Sequence, residues 1–356
     1  MHRRTRRTLV VVAAVVALLA LAVFLRSKAP PEAARLLPEA DGIIFINLKP
    51  IRTVAHFKDL KPPTRVPEYQ EFVNATGIDW ERDLDQAAVA LHRMPDPNGP
   101  NGPVAYSMVL VGRLTGQRLN AWLDSHAAER ESYAGHTIYS IPSEGRTVRI
   151  VQIGYDMIAV SNFPTTEKIH SIIDGHRSAA IPFAGSTLLR EHFSEVPLLS
   201  LAWGVGQVGM PFSESGAIHV FGLALPIEQD STIIASVTPG LNLKGTLNLK
   251  MEEIAQSNDE ATSQTAAMAT LVTLGRDLAQ QLAANPANNG LRDLLRTAEV
   301  TQKKNRVVVT ASLSAGLLSS LAKSESPQLK YSPLAPPAAK DVTSPPAPPG
   351  APAASK

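Results

Sequence analysis

VAYSMVLVGRLTGQRLNAWLDSHAAERESYAGHTIYSIPSEGRTVRIVQIGYDMIAVSNFPTTEKIHSIIDG, residues 104–175, decides the fold class of this chain. Val104 to Val111 reads as a buried strand. From about Gly116 to Ala128 the pattern becomes helical, with Leu119, Trp122 and Leu123 on one face. Three strands are predicted near His136–Ile141, Thr147–Ile153 and Met157–Ser161, the last two joined by the turn Gly154-Tyr155-Asp156. A helix from Thr165 to Asp174 follows, stopped by Gly175. Strands joined by short turns pair antiparallel. The segment therefore reads as α+β, an antiparallel sheet with helices packed on one face.

Upstream, Gly42 to Leu48 (GIIFINL) is a buried strand, and Pro67 to Ala75 is a short helix ending at Gly77. Ala87 to His92 is strand-like, and Pro95 to Pro103 (PDPNGPNGP) is a turn-rich loop. Downstream, a helix is expected near Ser186–Phe193 and strands near Leu198–Trp203, Ile218–Leu225, Ser231–Val237 and Leu241–Met251. Ser257-Asn-Asp-Glu260 has the spacing of a capping box. A long helix starts there and runs towards Asn285, stopping at Pro286. Met268, Leu271, Leu278 and Leu282 form its apolar stripe, and Gly275 weakens it. Strands near Ala298–Thr301 and Arg306–Leu313 and a helix from Ser314 to Ala322 close the body. The order of elements in 104–174 recurs in 241–322. This suggests two related α+β units, 35–180 and 181–326; one irregular α+β domain is the alternative.

Outside the body, Leu9 to Leu25 (LVVVAAVVALLALAVFL) is apolar throughout. Such a run needs apolar surroundings on every side, and its length approaches the roughly 17–25 residues of a membrane-crossing helix. Arg3, Arg4, Arg6 and Arg7 precede it, in a basic flank of residues 1–8, and only Arg26 and Lys28 follow. The excess of positive charge marks the N-terminal side as cytoplasmic. Residues 9–25 therefore read as a transmembrane anchor in the inner, cytoplasmic membrane, with the body extracytoplasmic or periplasmic. Two alternatives stay open: a signal peptide cleaved after Ala20-Leu21-Ala22, and twin-arginine export through Arg6-Arg7. Residues 26–34, with Pro30 and Pro31, form a stiff stalk. Residues 327–356 contain nine Pro among thirty residues and have too little apolar bulk to fold, so the tail is expected to be disordered.

The chain carries 34 Lys plus Arg against 32 Asp plus Glu and no Cys. Without the four Arg of residues 1–7, 30 bases face 32 acids. A body so near neutrality has no general pull on nucleic acid, which is not expected as a partner. The lack of Cys excludes a lipidated cysteine, thiol catalysis, iron–sulfur clusters and Cys-based zinc sites.

Three stretches of the first half form a pattern with the arginine-flanked anchor. Leu36-Leu37-Pro38-Glu39-Ala40-Asp41 leads into GIIFINL; Thr76-Gly77-Ile78-Asp79 precedes Arg82-Asp83-Leu84; and Val109-Leu110-Val111-Gly112-Arg113 follows. Together, over residues 1–175, they resemble a loose group of bacterial membrane-anchored extracytoplasmic proteins of unknown function, built from α+β repeats. The resemblance implies topology and fold and carries no catalytic residue.

The sharpest motif is Gly204-Val205-Gly206-Gln207-Val208-Gly209, a match to G-x-G-x-x-G, with Glu228 further on. A dinucleotide site needs a helix to begin at the third Gly. Pro211 and Ser213-Glu-Ser-Gly216 argue instead for a flexible loop, so no cofactor is expected. Ser320-Leu321-Ala322-Lys323 matches S-x-x-K, but no S-D-N or K-T-G follows. His170 and His176, six apart around Gly175, do not share a helical face. Glu129, Glu131 and Glu144 lie near strand edges without a recognisable dyad, and no metal spacing occurs. Asn74-Ala75-Thr76 is a glycosylation pattern without evident meaning here. No catalytic residue is assigned. The function expected is that of a non-enzymatic binding or scaffold protein of the bacterial cell envelope, with the membrane and another envelope protein as partners. An envelope hydrolase whose Ser, His and Asp meet only in three dimensions is the alternative.

Overall fold

In a computed structural model the described residues are 29–54, 67–99, 102–143, 145–178, 185–207, 219–220, 223–224, 231–240, 246–281 and 286–314. The expected anchor at 9–25, the tail at 327–356, Glu144, Gly209, Glu228, Ser320 and Lys323 lie outside them. Among the described residues, no helix is long and apolar enough to cross a membrane.

The first half runs α1 (Glu32–Arg35), β1 (Gly42–Asn47), α2 (Leu48–Val54), α3 (Pro67–Thr76), α4 (Trp80–Asp83), β2 (Leu84–Arg93), β3 (Val104–Gly112) and α5 (Gln117–His126). It continues with β4 (Glu129–Tyr133), β5 (His136–Ser143), β6 (Arg146–Gln152), β7 (Met157–Ser161) and α6 (Glu167–Arg177). The second half runs α7 (Thr187–His192), a 3-10 turn (Phe193–Glu195), β8 (Ala202–Gln207), the short ribbon β9 (His219–Val220) and β10 (Leu223–Ala224), β11 (Thr232–Pro239) and β12 (Leu247–Ile254). Then come α8 (Asn258–Gln281), α9 (Pro286–Thr297), β13 (Glu299–Lys303) and β14 (Arg306–Leu313).

Twelve strands form one antiparallel sheet in the order β13-β14-β12-β11-β8-β1-β2-β3-β7-β6-β5-β4. The two halves of the chain meet in it at the pairing of β1 with β8, which places Phe45 opposite Trp203 and Ile44 opposite Gly204. Counted outward from that pair, β1-β2-β3-β7-β6 on one side matches β8-β11-β12-β14-β13 on the other. On each side the third strand feeds helical structure before the chain returns beside it, and the β4–β5 hairpin extends the first side alone. The two halves of the sequence thus share a single sheet.

Cross-strand register explains the two cores. Ile138, Val151, Ala159, Val109, Ala88, Phe45 and Trp203 are successive partners across the sheet. That row packs on Leu36 and Leu37 after α1, on Ile169, Ile172 and Ile173 of α6, and on Leu189 of α7. Ile169, Ile172 and Ile173 follow helical spacing, and all three are fully buried; truncating one to Ala should cost about 2–5 kcal/mol. The opposite face carries Leu110, Ile158 and Val160, against Ile78, Leu119 and Leu123 from α5 and the loop before α4. Helices therefore cover both faces, whereas the sequence pattern placed them on one. Periodicity shows that a helix has an apolar stripe, but not which side of a shared sheet the stripe meets.

The stretches that carry the family resemblance make structural contacts. Glu39 accepts the Thr187 backbone N–H at the start of α7, at 2.9 and 3.0 Å, and Asp41 accepts the Arg93 N–H at 2.7 Å. Asp79 caps α4, and Asp83 binds both Arg82 and Arg113, at 2.7 and 2.9 Å. The Arg82 guanidinium beside it holds the Asp83 carboxyl below its ordinary value. At a β-bulge between Leu84 and Gln86, Gly112 lies against the Asp83 backbone so closely that a Cβ would stand 2.0 Å from its carbonyl oxygen.

Several local expectations hold. Gly77 ends α3 with φ +78°, the left-handed C-cap that glycine suits. The capping box forms: the Glu260 N–H donates to Ser257 Oγ at 3.2 Å, and the Ser257 N–H donates to the Glu260 carboxylate at 3.2 Å. Others do not. Helix α6 runs through Gly175 to Arg177, because its fully buried isoleucines outweigh one residue's weak propensity. Pro286 opens α9 rather than merely ending a helix; proline suits a first helical position because it has no N–H to leave unsatisfied. Strand β8 begins at Ala202, four residues later than expected, because Pro197–Ser200 forms a turn.

Candidate functional site: an apolar cavity

Over its described part, Gly204 to Gln207, the G-x-G-x-x-G stretch is a strand and not the flexible loop expected. Gly204 and Gly206 sit inside β8, paired on one side with Ile44 and Gly42 and on the other with Ala235 and Ile233. A strand wins there because β1 and β11 flank it and satisfy its backbone groups. The residues that alternate with Trp203 and Val205, namely Ala202, Gly204 and Gly206, present almost no side chain to the opposite face.

That lack of bulk creates a site. Beneath Gly204 the row continues through Ala235, Met251 and Val309. Helices α8 and α9 roof it, leaving a cavity of about 690 Å³. Ile44, Ile46, Gly204, Val237 and Met251 form the floor, while Met268, Leu271, Leu278, Leu291 and Leu295 come from the roof. At the rim Leu278 is 46% exposed. Glycine also shapes the roof: the Cβ position of Gly275 lies 3.4 Å from the Leu295 side chain of α9, so the two helices approach closely there.

Arginines join the roof helices. Arg276 of α8 donates to the carbonyls of Leu295 and Ala298, at 2.8 and 2.5 Å, at the end of α9. Arg292 of α9 donates to the Ala279 carbonyl at 2.8 Å. The first satisfies carbonyls that a helix end leaves without an intrahelical partner. Among the described residues, the lining contains no acid and no histidine. Lys250 is at the wall, but cross-strand register turns its side chain to the other face, where it pairs with Glu252. Water inside would find few hydrogen-bond partners, so the cavity favours an apolar occupant.

The titratable residues singled out in the sequence lie elsewhere. His170 of α6 meets Glu131 of β4 at 2.8 Å, with the Tyr133 ring stacked on its imidazole at 3.7 Å. Sequence reasoning missed this contact because β4, with its pattern of alternating charges, was not recognised as a strand. Among the described residues, His176, on the same helix, joins no such cluster, and Glu129 pairs with Ser140 in the β4–β5 ladder. Among the described residues, no three His, Asp or Glu side chains could hold a metal ion.

A Ser–His contact does exist. His92 Nε2 lies 2.9 Å from Ser107 Oγ, which lies 3.0 Å from Ser161 Oγ. All three are buried. Burial, followed by the Lys168 charge, pushes the His92 imidazole down to about 4. The nearby carboxylate of Asp41 is occupied by the Arg93 backbone. The group is buried and ties β2, β3 and β7 together. Another buried acid, Glu253, lies under α8, where the Gln264 amide, turned with its nitrogen inward, donates to both carboxylate oxygens at 2.8 and 3.0 Å.

No protein-family model matches this sequence, and no curated protein matches it. Among solved structures it is similar to crystal form III of TP0453, at 10% identity over 82% of this chain and 98% of that chain, with a TM-score of 0.45. Forms I and IV of TP0453 give 11% and 9% identity, over 84% and 83% of this chain and 99% and 96% of those chains, with TM-scores of 0.42 and 0.43. With identities this low and TM-scores below 0.5, the likeness brings no ligand and no function to this chain.

Proposed function

We propose that this is a membrane-anchored extracytoplasmic binding protein of the bacterial cell envelope, whose body takes an apolar, chain-like ligand between its sheet and the α8–α9 pair. The cavity carries this reading. Its 690 Å³ falls in the range of about 300–1,000 Å³ typical of small-molecule sites, and among the described residues no charged side chain points into it and no nucleophile meets a base there. The arginine-flanked run at 9–25 supports the anchor, and the resemblance of residues 1–175 supports the envelope location. A second envelope protein is the partner that a loaded carrier or scaffold of this kind would meet. The hydrolase alternative has only the His92–Ser107 contact as a buried Ser–His pair among the described residues.

The test uses a fluorescent apolar probe, 1-N-phenylnaphthylamine, titrated into the full chain in detergent-free nanodiscs, with empty nanodiscs as the blank. Saturable binding displaced by a long-chain fatty acid or alcohol is expected. Gly204→Val should abolish it without unfolding the body: the Cβ position at Gly204 meets only Ile43 O at 3.5 Å and Ile44 Cγ1 at 3.8 Å, so the added methyls enter the cavity. Binding that survives in Gly204→Val would place the probe elsewhere and refute the assignment.

A further inference from the structure

Leu199 is 82% exposed and Leu198 is 48% exposed, side by side in one loop. The Ser200 N–H donates to the Pro197 carbonyl at 3.2 Å, closing a four-residue turn with the two leucines at its tip. Ser200 Oγ donates to the same carbonyl at 2.7 Å and fastens the turn. Leu199, the third residue, has φ +71°. Turns of that kind place glycine or asparagine there, because a Cβ is strained at positive φ. This turn therefore holds a leucine in a backbone state that disfavours it, in order to point an apolar side chain at solvent. Among the described residues, nothing covers the Leu199 side chain. Local rules broken together in this way mark positions shaped by something outside the fold.

The position of the chain's entry identifies that partner. Ala29 and Pro31 line the same small cleft as Leu198 and Leu199. Leu25, the last residue of the proposed span, precedes Ala29 by four residues, at most about 14 Å of extended chain. The leucine tip therefore emerges beside the point where the body is tethered to the bilayer. We propose that Leu198 and Leu199 dock the body on the membrane by entering the interfacial layer of the lipid, fixing which end of the sheet faces the bilayer. This rests on the anchor reading above. Strand β2 carries the chain from this end of the sheet to the Asp96–Gly99 turn, ten residues or roughly 34 Å away, which then faces water.

The test exploits a chain without cysteine. Leu198→Cys and Asn98→Cys, each in the full chain, are labelled with an NBD fluorophore. They are then reconstituted into phosphatidylcholine–phosphatidylglycerol vesicles with and without doxyl-labelled lipid. Flotation of the same samples reports the anchor. The label at 198 should be blue-shifted and lose at least half its emission to doxyl lipid, while that at 98 should lose less than a tenth. Adding Leu199→Gly to the 198-labelled chain gives a variant certain to fold, since glycine suits φ +71°. It should melt higher than its parent and show at least twofold weaker quenching. If the vesicles float with the chain while the label at 198 stays unquenched, docking is overturned and the anchor stands. If the chain fails to float, both are overturned. Quenching unchanged by Leu199→Gly, or a blue shift at 198 that needs an added protein instead of lipid, also overturns the proposal.

Discussion

Gly112→Ala offers a sharp test of how the sheet is assembled. Gly112 lies where β3 meets the bulged start of β2, and a Cβ there would stand 2.0 Å from Asp83 O and 3.0 Å from Asp85 N. These are backbone atoms, and neither can step aside as a flexible side chain would. Ordinary contact begins at 3.4 Å, so the strands must part by the difference from 2.0 Å, or the bulge must reform. Parting them breaks the bond from the Arg113 N–H to Asp83 O, now 2.8 Å, and loosens the Arg113–Asp83 ion pair. Arg52 resists reshaping of the bulge, since it donates to Leu84 O at 2.6 Å and to the Asp85 carboxylate at 2.5 Å. Overpacking costs about 1–3 kcal/mol and a lost hydrogen bond about 0.5–1.5, so roughly 2–4 kcal/mol is expected. In thermal unfolding of a body of roughly 290 residues this is a fall of roughly 3–7 °C. Gly204→Ala is the control, because its Cβ meets nothing nearer than 3.5 Å. It should be neutral or stabilising by about 0.4–1 kcal/mol through loss of unfolded-state freedom. A Gly112→Ala protein melting within about 1 °C of wild type, or a Gly204→Ala protein losing as much as Gly112→Ala, would refute the reasoning.

Two further outcomes are expected. NAD, NADP and ATP at millimolar concentration should give no saturable thermal shift, because Gly206 is a buried strand residue between Gly42 and Ile233 and not the close-approach glycine of a phosphate loop; a saturable rise lost in Gly206→Ala would reverse this. His92 should make the body acid-sensitive: an unfolded histidine takes up its proton near 6.5 and the folded one only near 4, so the unfolded state binds more protons in between. Its contribution is complete above about 6.5 and declines as pH falls towards 4, with a slope of up to about 1.4 kcal/mol per pH unit. Urea midpoints from pH 7 to pH 5 should fall less steeply in His92→Gln than in wild type, and equal slopes would count against it.

The parts of the fold that were legible in the sequence are those fixed by local chemistry. The helix stop at Gly77, the capping box at Ser257 and the turn at Gly154–Asp156 each follow from a few neighbouring residues. What was hidden depends on partners far along the chain. Glu39 reads as one more surface acid until α7 begins against it 148 residues later. Gly112 reads as an ordinary strand end until Asp83 appears beneath it. Strand β4 (ERESY) has no apolar alternation, because it is an edge strand paired only with β5, with Glu129, Arg130 and Ser132 exposed and Glu131 turned to His170. Pro286 could be read as a stop or a start with equal right. The candidate site was hidden for a related reason: glycines announce where backbone can bend or approach, and in β8 they instead mark where side chains are missing.

Those absences join the two proposals made for this chain. A sheet face poor in side chains, under a roof of leucine and methionine, would suit a ligand that water does not dissolve well, because such a lining offers apolar bulk rather than charge. Such a ligand resides in a bilayer. If residues 9–25 span that bilayer, a tether of about 14 Å keeps the body within one strand length of the lipid surface. The leucine tip would then restrict its rotation there. Strands β8 and β1 link the two features directly: Pro197–Ser200 leads into β8 at one end, and Gly204, four residues on, is the cavity floor. Docking through Leu198 and Leu199 would then hold the turn that leads into the cavity-lining strand at the lipid surface. If that is so, Leu199→Gly should slow transfer of the apolar probe from vesicles into the cavity while leaving its affinity in lipid-free solution unchanged. An equal loss in both would mean that the turn supports the cavity and not the docking.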